Sequence, residues 1–285
     1  MQKNHEVRTE YEPVEKIEQE LLASLPELAR GIISDHPKNS NFKENPDDVT
    51  EHESKFHQFG IITHTKKVGE VYCGEMQELL DQWGLTKTVE EALSKEIDGR
   101  TKAELFQLSI PLHDLGKFAS PVITRKGKDK RIHIGHEAKS EQIIRESKQV
   151  QDLLQQHGLT EAQINYIATC VGLHYELGKM REEAKKSKLG YSLAFAESNE
   201  CEQACQEIAK KNPDFKIEAG LYFLPDNLAK TDIRIDAQTD DEIKNQDVNA
   251  KQMVEEKGLD PQFITGVKQL PINVAVARRY LESIE

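Results

Sequence analysis

The 285-residue chain has no apolar run approaching the roughly eighteen residues of a membrane-spanning helix. It has few cysteines. Cys73, Cys170, Cys201 and Cys205 form no paired, short-spaced ligand motif, so neither a disulfide framework nor a cysteine-based zinc site is expected. Cys201 and Cys205, four residues apart, read as ordinary helical cysteines in a reducing compartment. Acidic residues outnumber basic ones, 50 to 38. A formal net charge of -12 argues against broad duplex binding, which needs many phosphate contacts from Lys and Arg, but it leaves room for a small phosphorylated substrate. There is no internal repeat, no Gly-x-x-x-x-Gly-Lys phosphate loop, no Gly-x-Gly-x-x-Gly and no nucleophile elbow. No long strand periodicity is present. Residues Met1 to Glu20 are polar and acidic, unlike a secretory signal, and the cytoplasm is the default expectation.

What remains is a helical chain. With 37% hydrophobic and 31% charged residues, a soluble folded protein with one large domain and appendages is expected. Val14, Ile17, Leu21, Leu22, Leu25 and Leu28 recur at helical spacing, with Pro26 as a break between two short helices. Residues 35–50 turn to Pro, Asn, Asp and Lys and read as a loop. The spacing predicts an all-α fold in three parts. Residues 1–50 form a helical appendage and linker, 51–235 the main bundle, and 236–285 a helical extension that closes the domain or serves an interface between copies. Within that extension, 236–247 read as a loop, and a last helix is expected from about 273 to 283, after Pro271.

The strongest chemical signal is Ser109-Ile110-Pro111-Leu112-His113-Asp114-Leu115-Gly116-Lys117. Leu105, Leu108, Leu112 and Leu115 make an apolar helical stripe through residues 101–116, kinked at Pro111 and stopped at Gly116. A His-Asp pair there can place an imidazole and a carboxylate beside one metal ion, and both are costly in an apolar setting unless they are used. A lone pair of this kind is weak, because a satisfied buried histidine beside a terminal aspartate explains it equally.

Other histidines fall on predicted apolar faces. His64 shares one with Ile61, Val68, Val71 and Tyr72 on a helix expected to reach about Trp83. His57 lies two turns earlier if that helix passes Gly60. His136 opens another helix, with His133 in the incoming loop. His174 closes a helix that Thr160 and Gln163 are placed to cap. A last helix over 213–234 offers two carboxylates. Asp226 follows the apolar run Leu221 to Leu224 and is preferred over Asp232, which stands in a polar Lys-Thr-Asp setting. Between His113 and His136 lies a basic loop with Arg125, Lys126, Lys128, Lys130 and Arg131. It reads either as a solvated surface loop or as a flap that brings positive charge to a phosphate.

The ordered series His64, His113-Asp114, His136, His174 and Asp226 resembles the HD-domain superfamily of metal-dependent phosphohydrolases, over roughly residues 56–235. The resemblance implies a helical bundle that gathers His64, His113, Asp114 and Asp226 around one metal. His136 and His174 match the added ligands of two-metal members, in which Asp114 would bridge both ions. His113-Asp114-Leu115-Gly116-Lys117 also looks like the extended doublet of the family. Many relatives carry a second His or a Thr where this chain has Tyr175. The Gly-Tyr-Pro extension of the cyclic-dinucleotide branch is missing, and no close likeness to the alarmone hydrolases is seen.

The implied cofactor is a pair of divalent ions. Mn, Fe, Zn, Ni or Co suit histidine-rich ligation better than Mg. Ions about 3.5–4 Å apart can clamp phosphate oxygens and acidify a water. Lys117 and the loop cations Arg125, Lys126, Lys128, Lys130 and Arg131 are the candidate phosphate contacts, and His133 is a candidate donor to the leaving oxygen. The expected activity is hydrolysis of a phosphomonoester or phosphodiester, most plausibly of a nucleotide. The alternatives are a non-catalytic nucleotide-sensing or interaction protein with an HD fold, cleavage of short RNA ends, and an iron oxygenase built on nearly the same ligands.

Overall fold

The computed structural model describes residues 11–53, 55–125 and 128–284. Residues 1–10, half of the segment read as unlike a secretory signal, lie outside the described residues, as does Lys126 of the basic loop. The fold is predominantly all-α, with two short antiparallel hairpins. Among the described residues no helix is long and apolar enough to cross a membrane.

Helix α1 (Val14–Ile32) runs unbroken through Pro26, where two helices were expected. The proline removes one backbone bond at a cost of about 3 kcal/mol. Burial of Ile17, Leu21, Leu25 and Leu28 along one stripe contributes about 2 kcal/mol for each side chain and outweighs it. The stretch read as a loop over 35–50 includes a short helix, Ser40–Glu44. Its Asp47 sets the start of α2 (Ile61–Cys73), where the carboxylate accepts from the Thr63 backbone N–H at 2.9 Å and from the Thr63 hydroxyl at 2.5 Å. Gly60 is required at this junction, since a Cβ there would lie 1.9 Å from the Asp47 carbonyl oxygen. Helix α2 therefore begins after His57. It ends at Cys73 and does not continue to Trp83; a separate helix, Glu75–Gln82, follows Gly74.

The first hairpin pairs β1 (Glu96–Ile97) with β2 (Arg100–Thr101). Thr101 then caps α3 (Lys102–Ser109) in a reciprocal box with Glu104. The helix expected over 101–116 is in fact three pieces. After α3 comes one tight 3₁₀ turn, Ile110–Leu112, and then α4 (Leu115–Phe118), with His113 and Asp114 at the break. Proline at 111, which has no N–H to donate, suits the first turn after such a break. Gly116 does not stop a helix. It lies inside α4, where α5 (His136–Glu146) crosses so closely that a Cβ would sit 2.1 Å from the His136 carbonyl oxygen. The Gly116 N–H donates to the Ser140 hydroxyl at 2.7 Å across the same contact.

The basic loop is a second hairpin, β3 (Val122–Arg125) with β4 (Lys128–Arg131), Val122 opposite Arg131. Helix α6 (Glu161–Gly172) is capped by Thr160 and Gln163 as the sequence predicts. Helix α7 (Asn199–Lys211) leads to α8 (Lys216–Leu228), which is buried from Ile217 to its end and passes through Pro225. The last helix, α9 (Ile264–Ser283), starts well before Pro271 and includes it. The span 236–247, read as a loop, carries a short helix, Asp240–Asn245, capped by Thr239 and Glu242. Helices α4, α5 and α6 stack in succession, while α8 lies between α2 and α9. The two groups bring the ends of α2, α5, α6 and α8 to the His113-Asp114 break.

Gly116→Ala is expected to destabilise the protein by about 3 kcal/mol through overpacking of the α4–α5 contact. Chemical denaturation checks this, and an unchanged midpoint would show that the crossing relaxes freely.

Candidate metal centre

Six side chains from five places in the chain converge. His64, His113 and Asp226 form one buried trio, and Asp114, His136 and His174 form a second, each with ligand atoms within 4.8 Å of one another. Asp114 stands between them. Its Oδ2 lies 3.3 Å from His113 Nε2 and 3.9 Å from His64 Nε2. Its Oδ1 lies 3.4 Å from His136 Nε2 and 3.9 Å from His174 Nε2. Asp226 Oδ1 is 3.0 Å from His64 Nε2 and 4.0 Å from His113 Nε2.

The backbone sets the ring orientations. The Nδ1–H groups of His113, His136 and His174 donate to the carbonyls of Ile110, His133 and Val171 at 2.8, 2.7 and 2.6 Å. The His64 Nδ1 faces the Ala229 carbonyl at 3.4 Å. A carbonyl can only accept, so the proton sits on Nδ1 and each Nε2 lone pair is left for the centre. That arrangement brings two lone pairs together at the His136 Nε2–His174 Nε2 separation of 2.9 Å, and it leaves His113 Nε2 and Asp114 Oδ1 buried without a hydrogen bond. Orphaned polar atoms and facing lone pairs are costly in a dry interior. A divalent cation satisfies both, and imidazole with carboxylate is a donor set that transition ions accept. The residues fit a metal.

The electrostatics agree. Burial works to raise the Asp114 carboxyl, but His113, Lys117 and His136 hold it well below the usual carboxylate range. Burial of Asp226 is likewise overcome, by Lys230 and His64. Burial and the neighbouring His136 and His113 push His174 down to about 3, so it is a neutral ligand near pH 7. His113 differs, because Asp114 raises its pKa against the effect of burial.

Around these six the structure places three more residues, of which the sequence reading named only His57. His52 donates from Nδ1 to the Phe59 carbonyl at 2.8 Å and accepts on Nε2 from Lys117 Nζ at 2.8 Å. His57 stacks on His52 with ring centroids 3.7 Å apart and lines the cavity over the centre. Lys230 donates to Asp226 Oδ2 at 3.1 Å. A histidine in a polar loop carries no periodicity to mark it, so His52 had no signal beyond its residue type. Lys230, four residues after Asp226, was findable from helical spacing.

The remaining sequence candidates separate. Lys117 is buried, donates to Asp114 Oδ2 at 2.7 Å, and reaches the cavity. Lys130 also lines the cavity and pairs with Glu53 at 3.2 Å. Arg131 is buried and committed to Glu51, the Ser120 carbonyl and Asn39 at 2.8, 2.7 and 3.0 Å, with its guanidinium over Phe42. It ties the hairpin down and is not among the residues that line the cavity. The Arg125 and Lys128 side chains lie outside the described ones. His133 donates from Nε2 to the Glu51 carbonyl at 2.8 Å and contacts the Ser120 hydroxyl through Nδ1 at 3.0 Å. Burial and Lys117 lower it to about 4, so it is neutral and doubly engaged, which does not suit a proton donor. Asp232 is partly exposed and paired with Lys67 at 3.1 Å, away from the cluster that Asp226 joins.

No protein-family model matches the chain, and no curated protein matches it. The all-α fold and the buried histidine–aspartate cluster are compatible with an HD-type site.

Titrating chelator-treated protein with Mn²⁺ or Zn²⁺ should stabilise it by about 2.7 kcal/mol at a hundredfold excess over Kd. Asp114→Ala should abolish that gain. A Tm that ignores the cation in the wild-type protein would show that the cluster takes none.

Proposed function

We propose that the chain is an HD-type metal-dependent phosphohydrolase of the cytoplasm, acting on a phosphomonoester or phosphodiester, most plausibly of a nucleotide. The observation that carries this is the Asp114 carboxylate, with one oxygen turned to His64 and His113, which also meet Asp226, and the other to His136 and His174. These two sets would hold two divalent ions, with Asp114 shared. Histidine-rich donors favour Mn, Fe, Zn, Ni or Co over Mg. Such ions supply Lewis-acid polarisation of a phosphoryl oxygen and lower the pKa of water.

The chain's own residues complete the chemistry. Lys117 uses two of its three N–H groups on Asp114 and His52, and the third remains for a phosphoryl oxygen. His57, Tyr175 and Asn227 line the cavity, which measures about 470 Å³, a volume suited to a nucleotide-sized ligand. The buried Tyr222 ring, 6.2 and 6.0 Å from the His113 and His174 rings, excludes water behind them and strengthens charge interactions in front.

Protein purified without chelator should carry a transition metal and turn over at least one of a panel of nucleoside mono- and triphosphates, cyclic nucleotides and dinucleotides. Asp114→Ala should lower kcat by about a thousandfold or more together with metal content. Bound nucleotide without product would favour a sensing protein. Full turnover by the variant would sink the assignment.

A further inference from the structure

The cations around the cavity are unequally matched. Lys117 meets Asp114 at 2.7 Å, Lys130 meets Glu53 at 3.2 Å, and Lys230 meets Asp226 at 3.1 Å. Arg181 lines the same cavity, and among the described residues it has no carboxylate within 4 Å. Its guanidinium lies 5.5 Å from the Tyr191 ring, and its Nε is buried without a hydrogen-bond partner. Lys230 lines that cavity too, so the two cations share its wall. That placement offers an anion in the cavity two cationic contacts, of which the guanidinium has no carboxylate of its own.

The wall is fixed in place. Lys230 Nζ donates to Asn227 Oδ1 at 2.9 Å, and Asn227 Oδ1 also accepts from Asn273 Nδ2 at 2.8 Å. Asn273 belongs to α9 and accepts from the Tyr191 hydroxyl at 2.7 Å. The C-terminal helix thus fixes Lys230 from one side, while the Tyr191 ring meets Arg181 on the other.

We propose that Arg181 and Lys230 form a second anion subsite beside the metal centre, and that the substrate therefore carries two phosphoryl groups. This rests on the phosphohydrolase reading. One phosphoryl group engages the centre and Lys117; the other takes the guanidinium, whose planar N–H edge matches phosphate oxygens in pairs, and the ammonium. A guanidinium with an ammonium suits a dianionic phosphoryl group better than a single carboxylate. Nucleoside diphosphates, triphosphates and bisphosphates meet the requirement; simple monophosphates do not.

Calorimetric titration of the full chain with methylenediphosphonate and methylphosphonate tests this, in metal-loaded and metal-free protein. Wild type should prefer the bisphosphonate by about ten- to a hundredfold. Arg181→Ala should erase that preference and leave methylphosphonate affinity unchanged, and Arg181→Lys should restore part of it. In metal-free protein the preference should persist at weaker affinity, so the subsite can be tested even if the chain proves inactive or binds no metal. A wild-type protein without the preference overturns the proposal. So does a preference that disappears with the metal and ignores Arg181, since chelation by the ions alone would then account for it. If circular dichroism shows Arg181→Ala unfolded, Arg181→Gln takes its place on the same criteria.

Discussion

Everything near the centre is arranged to keep one carboxylate ionised out of water. Asp114 is buried, and an isolated buried carboxylate would cost several kcal/mol. The chain meets that cost with imidazoles on both oxygens and the Lys117 ammonium on one. Lys117 in turn needs an acceptor, which is His52, and His52 needs the Phe59 carbonyl. His52 and Phe59 are thereby tied to the bundle through a chain of hydrogen bonds that ends on a buried charge. Gly60 and Asp47 then fix where α2 starts and so where His64 points.

The hairpin follows a parallel logic. Five basic residues in an acidic chain suggest a flap over a phosphate, but alternation along β4 turns Arg131 inward and Lys130 outward. Arg131 reaches Asn39, Glu51 and Ser120 and joins the N-terminal loops to the bundle. Charge content alone could not show this, because the pairing partners lie about 80 and 92 residues away in sequence.

The clustered residues His64, His113, Asp114, His136, His174 and Asp226 were legible as candidates because each sits beside an apolar helical stripe, a local pattern. The capping box at Thr160 was legible for the same reason, and the one at Thr239 carries an equal signal, Thr-x-x-Glu, inside a stretch too polar to look helical. What was not legible depends on distant contacts. Helices continue through Pro26 and Pro271 because tertiary burial outweighs a local penalty. Gly116 resembles a helix stop until the crossing of α5 supplies another reason for it. His52 and Arg181 belong to no periodic stripe, and only the fold brings them to the cavity.

Three of the four histidines in the cluster are oriented by the carbonyl three residues before them, at Ile110, His133 and Val171. In many metal sites a carboxylate side chain does this work. Here the outer layer is peptide backbone, present whatever residue stands at those positions. Such a cluster leaves a thin mark in sequence, six side chains and little else. Its surroundings are free to diverge as long as the helix ends keep their geometry, and the same constellation can then persist in chains whose sequences no longer resemble one another.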